Sequence, residues 1–445
     1  MPSGEIVPHS IDTIAAIATP AGRGGIGIVR VSGPKVPAIA QAVIGRLPDS
    51  RKAVRCSFRD AHGERVDEGI ALYFQAPHSY TGDEVLELQG HGGPVVMHAV
   101  LAAVLDAGAR LAGPGEFTRR AFLNDKLDLA QAEAVADLID AASREAARSA
   151  LRSLDGDFSA VIAGLVAGLT ELRALTEAML DFPDEEVDAL HRDDAGRRLG
   201  QLRASLEDVI AKSRQGSLLR TGIHAVLAGR PNVGKSSLLN RLAGAERAIV
   251  TAVPGTTRDA LRETILIEGV PIVVVDTAGL RESGDEVEQL GMARTRQEME
   301  RADVVLVILE AGNPLAPQGP LPEAAARIDV VNKIDLVPGV VAGWHGNEVH
   351  VSAKTGAGLD ALRAAVLAAA GWTSRGETVF LARERHLRAL ATARAHLESA
   401  ASRLAQWEFF AEELRLAQGA LGEISGYLSA DDLLGEIFSR FCIGK

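Results

Sequence analysis

The sequence contains little cysteine, and that shortage excludes two kinds of site. Cys56 and Cys442 are its only cysteines, too few for a disulfide framework or a cysteine-rich zinc site. The eleven histidines never form the H-E-x-x-H pattern that places two zinc ligands on one helix face. A reducing cytoplasm fits this composition best.

Long hydrophobic runs are also scarce. The longest apolar run covers residues 158–170, which is too short to cross a bilayer. Residues 1–11 lack the basic start and apolar core of a secretion signal. Residues 442–445 place a cysteine fourth from the end, but the glycine and the terminal lysine fit a prenylation signal badly. We therefore expect no membrane attachment.

Positive charge is in deficit. The chain has 47 Lys and Arg residues against 59 Asp and Glu residues, which gives a net charge of −12. This balance argues against broad, non-specific coating of nucleic acid, although it leaves room for a local basic patch. The length of 445 residues predicts two to four domains, each large enough to bury its own core.

One stretch carries a clear chemical signature. Residues 229–236 read Gly-Arg-Pro-Asn-Val-Gly-Lys-Ser and fit the phosphate-binding loop G-x-x-x-x-G-K-[ST]. The apolar run 224–228 before the loop predicts a buried parallel strand, and leucines at helical spacing follow the loop. This order directs backbone N–H groups at a phosphate. Lys235 would then reach the β- and γ-phosphates, and the Ser236 hydroxyl would bind Mg²⁺.

Three later segments favour GTP as the nucleotide. A second apolar strand ends in Asp276-Thr277-Ala278-Gly279, where the aspartate can hold the magnesium shell and the glycine N–H can face a γ-phosphate. A third strand leads into Asn332-Lys333-Ile334-Asp335, and the Asp335 carboxylate can accept hydrogen bonds from both N–H donors of guanine. Ser352-Ala353-Lys354 follows a further strand and offers a backbone N–H to guanine O6. Four such motifs in this order predict a GTPase domain.

Two switch segments are expected between these motifs. The first covers residues 248–259, where Thr257 is the candidate to close on Mg²⁺ when the γ-phosphate is present. The second carries Leu280, where many GTPases have a glutamine that orients the attacking water. Another group must therefore offset the developing charge, and Asn232 with carbonyl groups of the first switch could form an oxygen cage for a monovalent cation. Glu288 could orient the water, but its spacing alone favours a solvated helix start.

Residues 1–117 show a mixed α/β pattern. Strands are predicted at 26–31, 69–74 and 85–88, and a helix at 95–105. The glycine-rich run 22–27 leads into a strand rather than a helix, so we interpret it as a turn and not as a dinucleotide site. Residues 90–94 form a second predicted turn, in which we assign His91 a structural role.

Alanine- and leucine-rich helix surrounds the predicted GTPase domain. Apolar stripes predict a helical bundle, with helices at 127–142, from 158 to the break at Pro183, and at 188–214, 381–404, 408–418 and 429–439. Helix on both sides of an α/β unit predicts that the unit is inserted into a loop of one helical domain. The expected fold is therefore an α+β domain (1–117), an all-α bundle in two parts (118–220 and 372–445) and an inserted Ras-like α/β P-loop GTPase domain (221–371).

The chain resembles the MnmE (TrmE) family of tRNA-modifying GTPases. Besides the nucleotide motifs, four segments carry the resemblance: Gly-Gly-Ile-Gly-Ile at 24–28, Leu-Glu-Leu-Gln-Gly-His-Gly-Gly at 86–93, Arg-Ala-Phe-Leu-Asn-Asp-Lys-Leu-Asp at 120–128, and Phe-Cys-Ile-Gly-Lys at 441–445. The match covers nearly the whole chain, and the terminal motif is close to diagnostic of the family.

The resemblance implies an activity that needs cofactors and partners. A folate-binding N-terminal domain would form a homodimer, and the flavoprotein MnmG (GidA) would join it in a heterotetramer. Together they would add an aminomethyl or carboxymethylaminomethyl group to C5 of the wobble uridine of certain tRNAs. A 5-formyl- or 5,10-methylene-tetrahydrofolate would supply the carbon, and glycine or ammonia the nitrogen. K⁺ would promote dimerisation of the GTPase domains and GTP hydrolysis.

The resemblance also assigns the site residues. The implied K⁺ ligands are Asn232, Thr251, Val253 and Thr256, and the implied Mg²⁺ ligands are Ser236 and Thr257. The implied catalytic set is Glu288, Lys235 and Asn232. The implied folate contacts are Arg30, Glu87, Lys126 and Lys445, and Cys442 is the cysteine of the modification motif. The expected GTP-binding residues are Asn232, Val233, Gly234, Lys235, Ser236, Ser237, Thr251, Thr256, Thr257, Asp276, Thr277, Ala278, Gly279, Asn332, Lys333, Asp335, Ser352, Ala353 and Lys354.

One departure and one alternative accompany this interpretation. The segment 311–326, which precedes Asn332, is short and rich in proline. The helix that is usual in this segment is therefore expected to be truncated. A ribosome-assembly GTPase that binds rRNA would use the same nucleotide motifs and is the alternative. Such proteins usually append a basic RNA-binding module, whereas Asp431, Asp432 and Glu436 make the C-terminal segment acidic. We therefore favour tRNA modification.

Overall fold

The computed structural model describes residues 12–181, 188–243, 262–276, 302–313, 325–373, 379–426, 437–439, 441 and 444. The chain divides into two compact units, one formed by Met1–Ala136 with Gln418–Lys445 and the other by Asp137–Ala417. This division into two units does not separate the four predicted segments from one another, so the boundaries of those segments stay predictions.

Strands and helices account for most of the described chain. The strands are β1 (Ile14–Ile17), β2 (Gly27–Ser32), β3 (Val54–Arg59), β4 (Arg65–Phe74), β5 (Val85–Gly90), β6 (Arg110–Leu111), β7 (Ile223–Gly229), β8 (Arg262–Ile267), β9 (Val270–Asp276), β10 (Val304–Glu310), β11 (Ala326–Asn332), β12 (Gly343–His345) and β13 (Glu348–His350). The helices are α1 (Val36–Ile44), α2 (Pro94–Asp106), α3 (Glu116–Leu123), α4 (Leu129–Ile139), α5 (Arg144–Leu154), α6 (Asp157–Asp181), α7 (Asp188–Thr221), α8 (Lys235–Leu242), α9 (Leu359–Ala369), α10 (Glu384–Ser402) and α11 (Trp407–Ser425).

The first unit is built on a six-stranded sheet with the order β3-β4-β5-β2-β1-β6. Neighbouring strands run antiparallel, apart from the parallel pair β1 and β6. Side chains alternate between the two faces of the sheet, and Val29, Val31, Leu86 and Leu88 pack with α1 and α2 on one face. The predicted α/β character of this region is therefore confirmed.

Helix α3 and the C-terminal residues also belong to the first unit. Phe117 of α3 is fully buried against Ile14 and Ala16 of β1. A side-chain carbon added at Gly444 would lie 2.5 Å from the carbonyl oxygen of Ile17, so only glycine fits there. Phe441 packs with α4 in the same unit. Phe441 and Gly444 of the terminal motif thus pack within the first unit.

The glycine-rich run before β2 forms a turn, as predicted. The Gly24 N–H donates to the Gly92 carbonyl oxygen at 3.1 Å, which joins this run to the turn that follows β5. A side-chain carbon at Gly92 would lie 2.6 Å from the Ile26 carbonyl oxygen. The two glycine-rich segments therefore pack against each other at one end of the sheet.

The second unit contains a seven-stranded sheet with the order β12-β13-β11-β10-β7-β9-β8. The five central strands from β13 to β9 are parallel, and β8 and β12 are antiparallel edge strands. The apolar runs that predicted four of the parallel strands are buried on both faces, as parallel sheets require. The α/β P-loop architecture is thus confirmed.

Helices α5, α6, α7 and α10 form the helical part of the second unit. Helix α6 ends at Asp181, next to the predicted proline break, and α7 runs directly into β7 with only Gly222 between them. By length and composition alone, Asp157–Leu180 of α6 meets the criteria for a membrane span. One such helix is weak evidence, because long core helices of water-soluble proteins meet the same criteria.

Candidate functional site

The predicted nucleotide motifs meet at one edge of the seven-stranded sheet. Strands β7, β9, β10 and β11 are parallel, so their carboxyl ends lie side by side. These ends carry Gly229, Asp276, Glu310 and Asn332. Ligands of open α/β sheets bind at this edge, where the loops after the strands converge.

The phosphate loop has the backbone that its sequence predicts. Asn232 and Gly234 adopt left-handed backbone angles with φ of 65° and 96°, and α8 begins at Lys235 immediately afterwards. A side-chain carbon at Gly234 would lie 2.4 Å from the amide nitrogen of Asn332. Asn232, Ser236 and Ser237 are exposed at the mouth of the loop, while Val233 is buried below it. The start of α8 therefore presents its backbone N–H groups to a ligand.

Lys235 is folded back over the phosphate loop. Its ammonium group donates to the carbonyl oxygens of Gly229 at 2.8 Å and Arg230 at 3.3 Å, and the side chain is 7% exposed. These carbonyl groups neutralise little charge, so a phosphate oxygen is a stronger partner for the cation. The lysine is thus held where the phosphates of a nucleotide would lie.

Asn332 joins three loops of the site. Its amide nitrogen donates to the Val233 carbonyl oxygen at 2.9 Å, and its amide oxygen accepts from the Ala353 N–H at 3.0 Å. The side chain is 1% exposed, so these bonds are shielded from water. The phosphate loop and the segment after β13 are therefore held in one arrangement by a single buried amide.

Asp335, the residue predicted to recognise the base, is held by a hydrogen bond from Ser352. The Ser352 hydroxyl donates to one Asp335 carboxylate oxygen at 2.6 Å, and Ser352 itself is fully buried. Asp335 is exposed, which leaves the rest of its carboxylate open to a ligand. The fixed carboxylate can accept two N–H donors from the edge of guanine. Ala353 and Lys354 follow in the adjoining loop.

Glu310 is a site residue that the sequence motifs do not contain. The Lys333 ammonium group lies 2.8 Å from its carboxylate, and Lys333 has a left-handed backbone with φ of 66°. The ion pair fixes the aliphatic stem of the lysine across the loop that carries Asp335. The sequence did contain one signal for Glu310. It is an acidic residue at the end of a buried apolar strand, and such positions lie at the edge of the sheet where ligands bind.

Several predicted residues lie outside the described part of the chain. These are Thr251, Val253, Thr256, Thr257, Thr277, Ala278, Gly279, Leu280, Glu288, Cys442 and Lys445, together with the side chain of Asp276. The roles predicted for them stay predictions. Among the described residues, no group of three histidine, cysteine or acidic side chains could hold a metal ion.

Two of the predicted folate contacts meet in the first unit. Because β2 and β5 pair with Arg30 opposite Glu87, the Arg30 guanidinium donates to the Glu87 carboxylate at 2.8 Å. The guanidinium also lies 5.5 Å from the centre of the Tyr80 ring and 5.8 Å from that of Phe117. This is a partly buried charged pair beside two aromatic rings.

The loop that carries Tyr80 is anchored by the motif after α3. Lys126 donates to the Pro77 carbonyl oxygen at 3.0 Å, and Asn124 donates to that of Thr81 at 2.7 Å. Burial raises the pKa of the Tyr80 hydroxyl, despite its hydrogen bond with Thr118 and the nearby positive charge of Arg30. Lys126, the third predicted folate contact, is thus hydrogen-bonded to the loop that carries the Tyr80 ring, which lies beside Arg30.

His91 has a specific partner in the turn after β5. Its ring Nδ1 lies 2.7 Å from the Asp67 carboxylate, and its backbone N–H donates to the other oxygen at 2.8 Å. Burial raises the pKa of Asp67, but the hydrogen bonds from His91, the Glu68 backbone N–H and the charge interaction with His91 together lower it overall. A side-chain carbon at Gly90 would lie 2.3 Å from the same carboxylate. These contacts agree with the structural role predicted for His91.

Family comparisons cover both units of the chain. A family model described as “MnmE helical domain” matches residues 129–442, and one described as “GTP-binding protein TrmE N-terminus” matches residues 13–126. Each match includes the motifs identified above: the nucleotide loops lie inside the first, and Arg30, Glu87 and Lys126 inside the second.

Full-length relatives agree with the family models. The “tRNA modification GTPase MnmE” of Thiobacillus denitrificans is 59% identical over 444 residues, which is 99% of each chain. The protein of the same name from Azoarcus sp. is 58% identical over 447 residues, covering 98% of this chain and 99% of that one. That of Neisseria meningitidis serogroup C is 56% identical over 445 residues, covering 98% and 99%.

Replacing Asp335 tests the site directly. In Asp335→Asn the amide would offer a donor where the carboxylate accepts, so we expect GTP affinity to fall by about a hundredfold. Affinity for xanthosine triphosphate should rise, because xanthine carries an acceptor at that position. Titration of both nucleotides into the wild type and the variant measures the change. Unchanged GTP affinity would contradict the guanine assignment.

Proposed function

Because the chain belongs to the MnmE family of tRNA-modification GTPases, we propose that it couples GTP hydrolysis to modification of the wobble uridine of certain tRNAs. The observation that carries the proposal is the match over nearly the full length of a tRNA-modification GTPase, combined with the Asp335–Ser352 pair that suits guanine. The relatives named above all carry the tRNA-modification name, so no observation favours the alternative of an rRNA-binding switch in ribosome assembly.

The hydrolysis site would use groups from the phosphate loop and both switches. Lys235 and the first turn of α8 would bind the β- and γ-phosphates, and Ser236 with Thr257 would hold Mg²⁺. When bound, Mg²⁺ would neutralise charge that develops on the phosphate oxygens. Ser236 is exposed at the start of α8, as such a ligand must be.

A K⁺ ion is proposed beside the phosphate loop. Asn232 has a left-handed backbone and an exposed side chain, which supports a role for its amide oxygen as one ligand. The other ligands would be Thr251, Val253 and Thr256 of the first switch. A cation there would offset charge on the leaving oxygen, and Glu288 would orient the attacking water because Leu280 cannot.

The first unit is proposed to bind a tetrahydrofolate derivative. The Glu87 carboxylate can accept hydrogen bonds from the amino edge of a pterin, and the rings of Tyr80 and Phe117 lie beside Arg30. Lys126 is exposed on the adjoining loop and could reach an anionic end of the ligand. Lys445 would complete the set, because Gly444 packs against Ile17 of the same unit. The bound folate would supply the one-carbon unit of the modification.

The proposed reaction requires partners. We propose a homodimer formed through the folate-binding part and a heterotetramer with the flavoprotein MnmG. The tRNA substrate suggests a cytoplasmic location. Cys442 would act in the modification rather than in GTP hydrolysis, since its motif lies in the unit that carries Arg30 and Glu87.

The salt dependence of hydrolysis tests the cation site. Replacing K⁺ by Na⁺ at equal ionic strength should slow GTP hydrolysis by about tenfold or more, because the smaller ion fits a K⁺ cage poorly. Asn232→Ala should slow hydrolysis in K⁺ and remove most of the difference between the salts. Equal wild-type rates in K⁺ and Na⁺ would rule out the proposed cage.

The nucleosides of cellular tRNA test the proposed function as a whole. Cells that lack the protein should lose the C5-modified wobble uridine, and the wild-type gene should restore it. Cys442→Ser should fail to restore the modification, whereas the matched control Cys56→Ser should restore it, since Cys56 is a half-buried strand residue. Mass spectrometry of digested tRNA measures each outcome. An unchanged nucleoside profile in the deletion strain would contradict the proposal.

A further inference from the structure

The exposed side of helix α5 carries three arginines. Arg144, Arg148 and Arg152 follow one another at intervals of four residues, so they lie on one face of the helix, which we call the arginine face. At a rise of about 1.5 Å per residue, their backbone positions are about 6 Å apart along the helix. The opposite face is buried and consists of the small residues Ala146, Ser149, Ala150 and Ser153.

The spacing of these positive charges does not stabilise the helix. Like charges four residues apart on a helix repel each other. Arg144 also lies in the first turn, where the helix dipole disfavours a cation, whereas Arg152 lies in the last turn, where a cation is favoured. Glu145 is the only acidic residue of α5. The stability of the helix therefore accounts for Arg152 but not for Arg144 and Arg148.

Exposed arginines on other helices of the second unit have acidic neighbours. On α7, Arg197 and Arg198 both pair with Asp194, which precedes them by three and four residues. On α10, Arg388 pairs with Glu384 at the same spacing of four residues. The charges of these arginines are balanced within their own helices.

The arginine face of α5 lacks this balance. Within the part of the chain that the structure describes, Arg144 and Arg148 form no ion pair. The Arg152 guanidinium lies 3.2 Å from the Asp157 carboxylate, but both side chains are about half exposed. Exposed pairs of this kind contribute little to stability, so another anion can replace the carboxylate. The face therefore offers positive charge to a ligand.

The backbone beneath the arginine face is held firmly. Ser143 caps the first turn of α5 by accepting a hydrogen bond from the Ala146 N–H at 3.1 Å. Ala146 and Ala150 are buried in the same apolar core as Leu219 and Ile223. Because the helix is already in place, a ligand has to order only the arginine side chains.

We propose that the arginine face of α5 binds the phosphate backbone of the tRNA substrate. Guanidinium groups form bidentate hydrogen bonds with phosphates, and bound phosphates would relieve the repulsion between the arginines. Successive phosphates of an RNA strand are separated by a distance similar to the spacing of the arginines. Because the chain as a whole carries a charge of −12, a local basic face is the kind of surface that RNA requires here. The proposal rests on the proposed function, because it names a surface that would hold the tRNA.

The salt dependence of tRNA binding tests the proposal. Full-length protein is titrated into a fluorescent, unmodified tRNA transcript with uridine at the wobble position, at several KCl concentrations. In Arg144→Gln/Arg148→Gln/Arg152→Gln the affinity should fall by about tenfold or more at about 0.1 M salt, and the slope of log K against log [KCl] should decrease by about two, because each lost phosphate contact removes about 0.7–0.9. The rate of GTP hydrolysis without tRNA should stay that of the wild type.

Arg197→Gln/Arg198→Gln/Arg388→Gln is the matched control. It removes the same three positive charges from the same unit, but at arginines that pair with acidic residues of their own helices. It should keep the affinity and the salt dependence of the wild type. Leu151→Gln should keep them too, because Leu151 is 47% exposed on α5 and its replacement removes apolar surface without changing the charge.

Three results would overturn the proposal: wild-type affinity in the arginine-face variant, an equal loss of affinity in the matched control, or wild-type protein whose binding to the transcript does not depend on salt. An arginine-face variant that keeps its tRNA affinity but fails to restore modification in cells would assign the face to a protein partner instead. If binding depends on the arginine face but the deletion strain has an unchanged nucleoside profile, the proposed function alone is refuted.

Discussion

The buried amide of Asn332 holds the nucleotide site together. Its donor and acceptor each have one partner, the Val233 carbonyl oxygen and the Ala353 N–H, and these partners belong to loops far apart in the chain. Leaving the buried Val233 carbonyl oxygen unpaired would cost about 1–3 kcal/mol. The phosphate loop can approach this closely because Gly234 lacks the side chain that would collide with the Asn332 amide. The loop predicted to bind phosphate and the segment predicted to recognise the base are thus held in one arrangement.

The sequence predicted four of the five parallel strands of the second sheet, because apolar runs followed by motif residues mark them. It missed β1, β8 and α1, which have four, six and nine residues and therefore show few repeats of a hydrophobic period. The residues predicted to bind nucleotide, Asn332 among them, were chosen from motif spacing alone. Glu310 was not among them, and the bonds that Asn332 makes to other loops could not be predicted, because both depend on contacts between distant parts of the chain.

In the first unit, too, the sequence did not reveal which distant residues would come into contact. Motif residues Arg30, Glu87 and Lys126 could be selected only through the family resemblance, since nothing in their spacing indicates a ligand. The sheet explains why two of them meet: the antiparallel register of β2 and β5 places Arg30 opposite Glu87. The bond between Asp67 and His91 likewise depends on pairing across the sheet and on a glycine at position 90. Long-range register was the missing information in each case.

The most direct test of this account is the GDP affinity of Asn332→Ala, measured by calorimetric titration of nucleotide-free protein. The account predicts a loss of about tenfold or more, because the variant leaves one buried and one half-buried backbone group without their partner and frees the phosphate loop from the segment after β13. Asn240→Ala, on the exposed face of α8, is the control and should bind GDP like the wild type. Wild-type affinity in Asn332→Ala would contradict the claim that this amide organises the site.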